Sequence, residues 1–132
     1  MGVSFLLDTH AFFWLSHPAR QVPARLEKRL THDSDGVYVS AVSAFEVSMK
    51  VALGKFDDAV ALTERWVDAV RELGAEQLPL DTRHALAAGS LDWSHRDPFD
   101  RLLAAQAIAE GLTLVTADRA FQGAPGLVVQ PW

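Results

Sequence analysis

The sequence predicts an α/β protein: a parallel sheet with helices packed on its faces. Two observations carry this expectation. Short apolar runs of strand length alternate along the chain with longer segments of helical periodicity, and strands that alternate with helices form parallel sheets. Glycine, proline and an Asp-Gly pair punctuate the segments, which marks their ends. The 132 residues amount to one domain, 1–132, long enough to bury a core without disulfides or metal staples.

The elements follow in order. Val3–Leu7 is nearly all apolar, as a strand buried on both faces requires. His10–Leu15 is aromatic and helical, and Pro18 breaks it. Pro23–Leu30 is a second helix with a basic outer face. Asp35-Gly36 is a turn before the strand Val37–Val39. Ser40 caps a helix from Ala41 to Leu53, which Gly54 ends. Asp58–Leu73 reads as one helix ended by Gly74, and Glu76–Leu78 as a short strand. Asp81 or Thr82 caps a helix to about Gly89; Pro98–Glu110 is a further helix, ended by Gly111. Leu112–Val115 and Leu127–Gln130 are the last strands.

Composition narrows the function. There is no cysteine, which excludes disulfides and thiolate metal sites and suits a reducing, cytoplasmic setting. The start, MGVSFLLDTH, lacks the basic and long apolar regions of a signal peptide. No apolar run reaches the roughly 18 residues of a membrane span, so no membrane contact is expected. The net charge of −5, from 17 acids and 12 bases, argues against a protein that clamps nucleic acid through basic residues alone. It fits a cation site or a basic partner.

Ligands of parallel α/β sheets sit at the carboxyl ends of the strands, near a switch point in strand order. Asp8 closes the first strand and Asp118 the fourth, so both lie at that edge. Each also fits a helix or turn cap. Glu46 lies in a stripe with Val42, Met49 and Leu53 on one helix face. A pair with Lys50 at i+4 is its structural explanation, worth only about 0.3–0.5 kcal/mol, which is small against the cost of burying a carboxylate. Asp97, with Pro98 and Asp100 behind it, makes a good helix start. Asp100, Ala104, Ala107 and Gly111 share a face of small residues, which points Asp100 inward. Four acids facing one another repel, so their pKa values should rise unless a counter-charge is present. For carboxylates without His or Cys, that counter-charge is a hard divalent cation such as Mg²⁺ or Mn²⁺, the common machinery of phosphodiester cleavage.

Other chemistries lack their residues. His10, His17, His32, His84 and His95 form no zinc motif, and no phosphate-binding glycine loop or nucleophile elbow is present. An aspartyl-phosphate phosphatase needs a second acid two residues after its first, where this chain has His10. A phospho-receiver domain needs a lysine near its last strand, and the lysines are Lys28, Lys50 and Lys55. His95 and Arg96 are candidates for touching a substrate phosphate, with a solvated loop as the alternative reading.

Three segments, LLDTHAFFWL, SAFEVSMKVALGK and DPFDRLLAAQAIAEGLTLVTAD, resemble a PIN-domain protein of the VapC type, the toxin of a toxin–antitoxin pair. The resemblance runs from Val3 to Pro131. It implies a three-layer fold on a five-stranded parallel sheet of order 3-2-1-4-5. It also implies an acidic quartet, Asp8, Glu46, Asp100 and Asp118, that holds Mg²⁺ or Mn²⁺ and cleaves RNA. Asp100 is selected over Asp97 because the alanine-rich stretch follows it; Asp97 and Thr116 become accessory candidates, and Arg101 and Arg119 phosphate contacts. The implied partners are RNA, a cognate antitoxin and a second copy of the chain. Exposed aromatics near Phe12–Trp14 would receive an apolar face of a basic antitoxin peptide. The alternative reading is a catalytically silent module that acts only through a protein partner.

Overall fold

Alternation along the first strand sets the architecture. In the computed structural model, which describes residues 2–132, β1 (Ser4–Leu7) sends Phe5 and Leu7 into one core and Leu6 into another. Both faces of β1 are therefore covered, which explains its unbroken apolar run. It pairs in parallel with β2 (Gly36–Ser40) on one side and with β4 (Thr113–Thr116) on the other, with Leu7 opposite Val39 and Val115. β3 (Glu76–Leu78) extends β2, and β5 (Val129–Pro131) extends β4. The sheet order is β3-β2-β1-β4-β5, as the resemblance implied.

The first core joins Phe5, Leu7, Val39 and Val115 to Phe12 of α1 (Thr9–Ser16), Leu26 of α2 (Ala24–His32), Val47 of α3 (Ala41–Ala52), Leu62 of α4 (Val60–Glu64) and Val70 of α5 (Trp66–Glu72). The second joins Leu6 and Leu114 to Val42, Trp93, Phe121 and the inner face of α7 (Pro98–Glu110). α6 (Thr82–Ser90) packs on α7. None of the described helices is long and apolar enough to cross a membrane.

Four expectations change. The single helix over Asp58–Leu73 is instead a 3-10 turn at Asp57–Ala59 followed by α4 and α5, which break at Arg65 (φ −133°, ψ 30°). Helical periodicity continues through the break, so packing rather than local preference decided it. The buried face of α3 is Val42, Ser43, Glu46 and Val47, while Leu53 is exposed. Phe12 and Phe13 are buried, so they offer no docking face; Phe13 instead packs on Phe56 at 4.8 Å. Finally, β4 starts and ends one residue later than expected, which carries Thr116 into the strand beside Asp8.

Candidate functional site

Asp8 leaves β1 at the point where the winding of the sheet reverses. Its N–H donates to the Val115 carbonyl at 3.0 Å, extending the β1–β4 ladder by one residue. Its carboxylate caps α1, with Oδ1 accepting from the Ala11 N–H at 2.7 Å. The cap and the sheet-edge position coexist, because α1 starts directly at the carboxyl end of its strand. Asp8 is buried, and burial raises its carboxyl above the ordinary range; hydrogen bonds from Thr116 and Ala11 oppose the rise. Thr116 also accepts the Asp118 N–H at 3.0 Å, so one hydroxyl links the ends of both strands.

Glu46 comes from the buried face of α3. Oε1 accepts from the Thr9 hydroxyl at 2.6 Å, and Oε2 from Lys50 Nζ at 2.6 Å. The i+4 pair weighed in the sequence therefore exists, with Lys50 at the surface side and Glu46 only 6% exposed at its side chain. The pair does not seal Glu46 off electrically. Its charge acts on both Asp8 and Asp100, raising the pKa of each.

Asp97 is the N-cap of α7: Oδ1 accepts from the N–H groups of Phe99 and Asp100 at 2.9 and 3.1 Å. That occupies Asp97 and leaves the Asp100 side chain free to turn inward. Asp100 Oδ2 meets His95 Nε2 at 2.7 Å. Burial, the largest cause, lifts the Asp100 carboxyl to about 6; the His95 hydrogen bond opposes the rise, and the charges of Asp97 and Glu46 add to it. From the sequence His95 is a candidate for phosphate contact and not a partner of Asp100. No periodicity signals its bond to Asp100, because the cap at Asp97 folds the preceding loop back against the first turn of the helix.

Asp118 is exposed and caps the 3-10 turn Arg119–Gly123 through the Ala120 N–H at 2.9 Å. Arg119 is exposed too, with no ion-pair partner among the described residues. An open groove of about 740 Å³ runs beside it, lined by Trp93, Ser94, His95 and Ala120. Arg101 departs from the sequence expectation. It is buried, and its guanidinium is consumed by the carbonyls of Ala88, Leu91, Trp93 and His95. It therefore reaches no phosphate. Arg96, the other candidate for phosphate contact in the preceding loop, is exposed.

The structure thus brings the buried Glu46 within electrostatic reach of two further acids, the buried Asp8 and the half-buried Asp100. The fourth, Asp118, sits at the rim beside Thr116. The rise in the carboxyl pKa values comes from burial first; repulsion by Glu46 is the smallest cause. For Asp8 and Asp100 the expectation from mutual repulsion had the direction right and the main cause wrong. A tighter group, Asp81, His84 and Glu110, with ligand atoms within 4.8 Å of one another, lies at the opposite end of α7. Its atoms are taken up by a capping box and by Arg83.

Residues 5–127 match the PIN domain family. Over 117 residues, 86% of each chain, the sequence is 29% identical to Ribonuclease VapC22 of Mycobacterium tuberculosis. Among solved structures it is similar to FitAcB from Neisseria gonorrhoeae, at 29% identity and a TM-score of 0.66, covering 97% of this chain and 98% of that one. It shares the fold of VapBC2 from Rickettsia felis bound to a DNA fragment from its promoter, at 19% identity and a TM-score of 0.72, covering 98% and 99%. With nearly its whole length matched and the reversal of strand order at β1 and β4 in place, the chain belongs to the PIN-domain family.

Proposed function

We propose that this protein is a metal-dependent endoribonuclease, the toxin of a toxin–antitoxin pair, in which Asp8, Glu46, Asp100 and Asp118 hold Mg²⁺ or Mn²⁺. The observation that carries the reading is that Glu46, buried on α3, acts electrostatically on both Asp8, at the carboxyl end of β1, and Asp100, in the first turn of α7, and raises the pKa of both. The donor set fits the ion: it is all carboxylate oxygen, as a hard divalent cation prefers, and among the described residues Lys50 is the one lysine or arginine bonded to it. The similarity to Ribonuclease VapC22 supports the choice of RNA as substrate. A divalent ion bound there supplies the Lewis acidity for phosphodiester hydrolysis.

The chain's own groups prepare the site. Thr9 and Lys50 fix the two oxygens of Glu46. Thr116 and the start of α1 orient Asp8. His95 orients Asp100. Arg119, which is exposed next to Asp118, contacts a substrate phosphate in this reading and offsets the acidic net charge locally. The partner is an antitoxin with a basic residue that enters this acidic site, and the working form of the protein is a homodimer.

The test is cleavage of total cellular RNA by purified protein, with Mg²⁺ or with chelator, beside Asp8→Asn, Glu46→Gln, Asp100→Asn and Asp118→Asn. Cleavage should need the metal and fall at least tenfold in each variant while circular dichroism stays native. Cleavage that persists in chelator and in Asp8→Asn refutes the proposed site. No cleavage by the native protein under any condition favours the catalytically silent module.

A further inference from the structure

Arg101 is a buried cation with no carboxylate within ion-pair distance among the described residues. Nε donates to the Ala88 carbonyl at 3.0 Å, Nη1 to Trp93 and His95 at 2.7 and 3.0 Å, and Nη2 to Leu91. All four acceptors lie in the last turns of α6 and the irregular segment that follows it. That segment has one backbone bond of its own, from Trp93 N–H to Leu91. The guanidinium therefore supplies the donors that a helix or strand would otherwise supply. Burying an uncompensated charge is an expensive way to fill space. What it alone provides is a rigid fork of donors, which lysine lacks.

The segment held in this way carries His95. The His95 carbonyl is on Arg101, its ring lies 4.8 Å from that of Trp93, and its Nε2 is on Asp100. Trp93 is in turn buried against Phe121, with ring centroids 5.7 Å apart. The chain closes a ring: from Arg101 on α7, through the loop to His95, and back to Asp100, the residue before Arg101.

We infer that Arg101 is a positioning residue. It fixes the loop so that His95 engages Oδ2 of Asp100 and leaves Oδ1 to face the acidic site. The inference rests on Asp100 serving that site as a cation ligand. Partners of this kind behind a ligand change metal affinity by about 10- to 100-fold when removed.

The experiment is calorimetric titration with Mn²⁺ alone into wild type, Asp8→Asn, Arg101→Lys, His95→Ala, His95→Gln and the double variant Arg101→Lys/His95→Ala. The ring ¹⁵N signals of His95 are recorded on metal-free wild type and Arg101→Lys at pH 8. Arg101→Lys and His95→Ala should each weaken Mn²⁺ binding about tenfold. The double variant should bind no worse than His95→Ala. His95→Gln, which keeps a donor, should recover part of the loss. The His95 ring should carry its proton on Nε2 in wild type and lose that preference in Arg101→Lys. Equal losses from Arg101→Lys with and without His95, or an unchanged ring signal, overturn the proposal. An Arg101→Lys chain that does not fold makes the residue part of the framework and overturns it as well. Wild type that ignores Mn²⁺ refutes the acidic site and the role of Arg101 with it. Binding that Asp8→Asn abolishes and Arg101→Lys leaves intact refutes the positioning role alone.

Discussion

Asp100→Asn should make the metal-free protein more stable, and the gain should depend on pH. Asp100 has its carboxyl raised from the ordinary 3.8 to about 6. The folded state therefore holds a proton that the unfolded state releases, and stability falls as pH rises from about 4 through 6. At about 1.4 kcal/mol per pH unit, that interval bounds the cost of the ionised group near ~3 kcal/mol. A fifth of the side chain is exposed to solvent, which screens part of this. The charge also gains about 0.3–1 kcal/mol from the N-terminus of α7. With the bound cut by about half for screening and the helix contribution subtracted, the net gain on removing it is about 1 kcal/mol, or about 4 °C in melting temperature for a domain of this size. The amide keeps an oxygen to accept from His95, so packing is conserved. The assay is a series of thermal melts in chelator at pH 8, 7, 6 and 4.5. Asp100→Asn should melt higher at pH 8, and the difference should close by pH 4.5. A variant that melts lower than wild type at pH 8, or a gap that does not vary with pH, would show that burial of this charge is not what raises its pKa.

Two other variants separate roles that lie close together. Asp97→Ala removes the acceptor for two N–H groups at the start of α7 and should cost about 1 kcal/mol in urea unfolding, while RNA cleavage falls less than in Asp100→Asn; equal losses of activity would put both residues in one role. Lys50→Met strips the cation from a carboxylate that is 6% exposed and should destabilise the metal-free protein by roughly 1–3 kcal/mol. Millimolar Mn²⁺ should restore most of that in thermal melts, because a bound ion replaces the missing charge and binds the folded state; a loss that Mn²⁺ does not repair would place Glu46 outside the cation site.

Much of the site was legible because it is written in local order. Asp8 and Asp118 follow apolar strand runs, so any parallel arrangement places them at one edge. The caps at Ser40, Asp81 and Asp97 were legible for the same reason: a cap is a bond between residues two or three apart. The break at Arg65 was not, since the pattern on both sides of it is helical and only the core it wraps around decides where it bends.

By itself the sequence determined the alternation of strands and helices, the placement of four acids at strand ends and inward helix faces, and the cap at Asp97 with Asp100 turned inward behind it. Each depends on residue type and spacing of a few positions. Only the tertiary structure decided which charges are free. It gave Glu46 to Lys50 and Thr9, His95 to Asp100, and Arg101 to four carbonyls rather than to a phosphate. Those partners are brought together by the folding of a loop against a helix and of α1 against α3, and an ionic or hydrogen-bonded contact is set by distance in space, to which linear spacing in an irregular segment is blind.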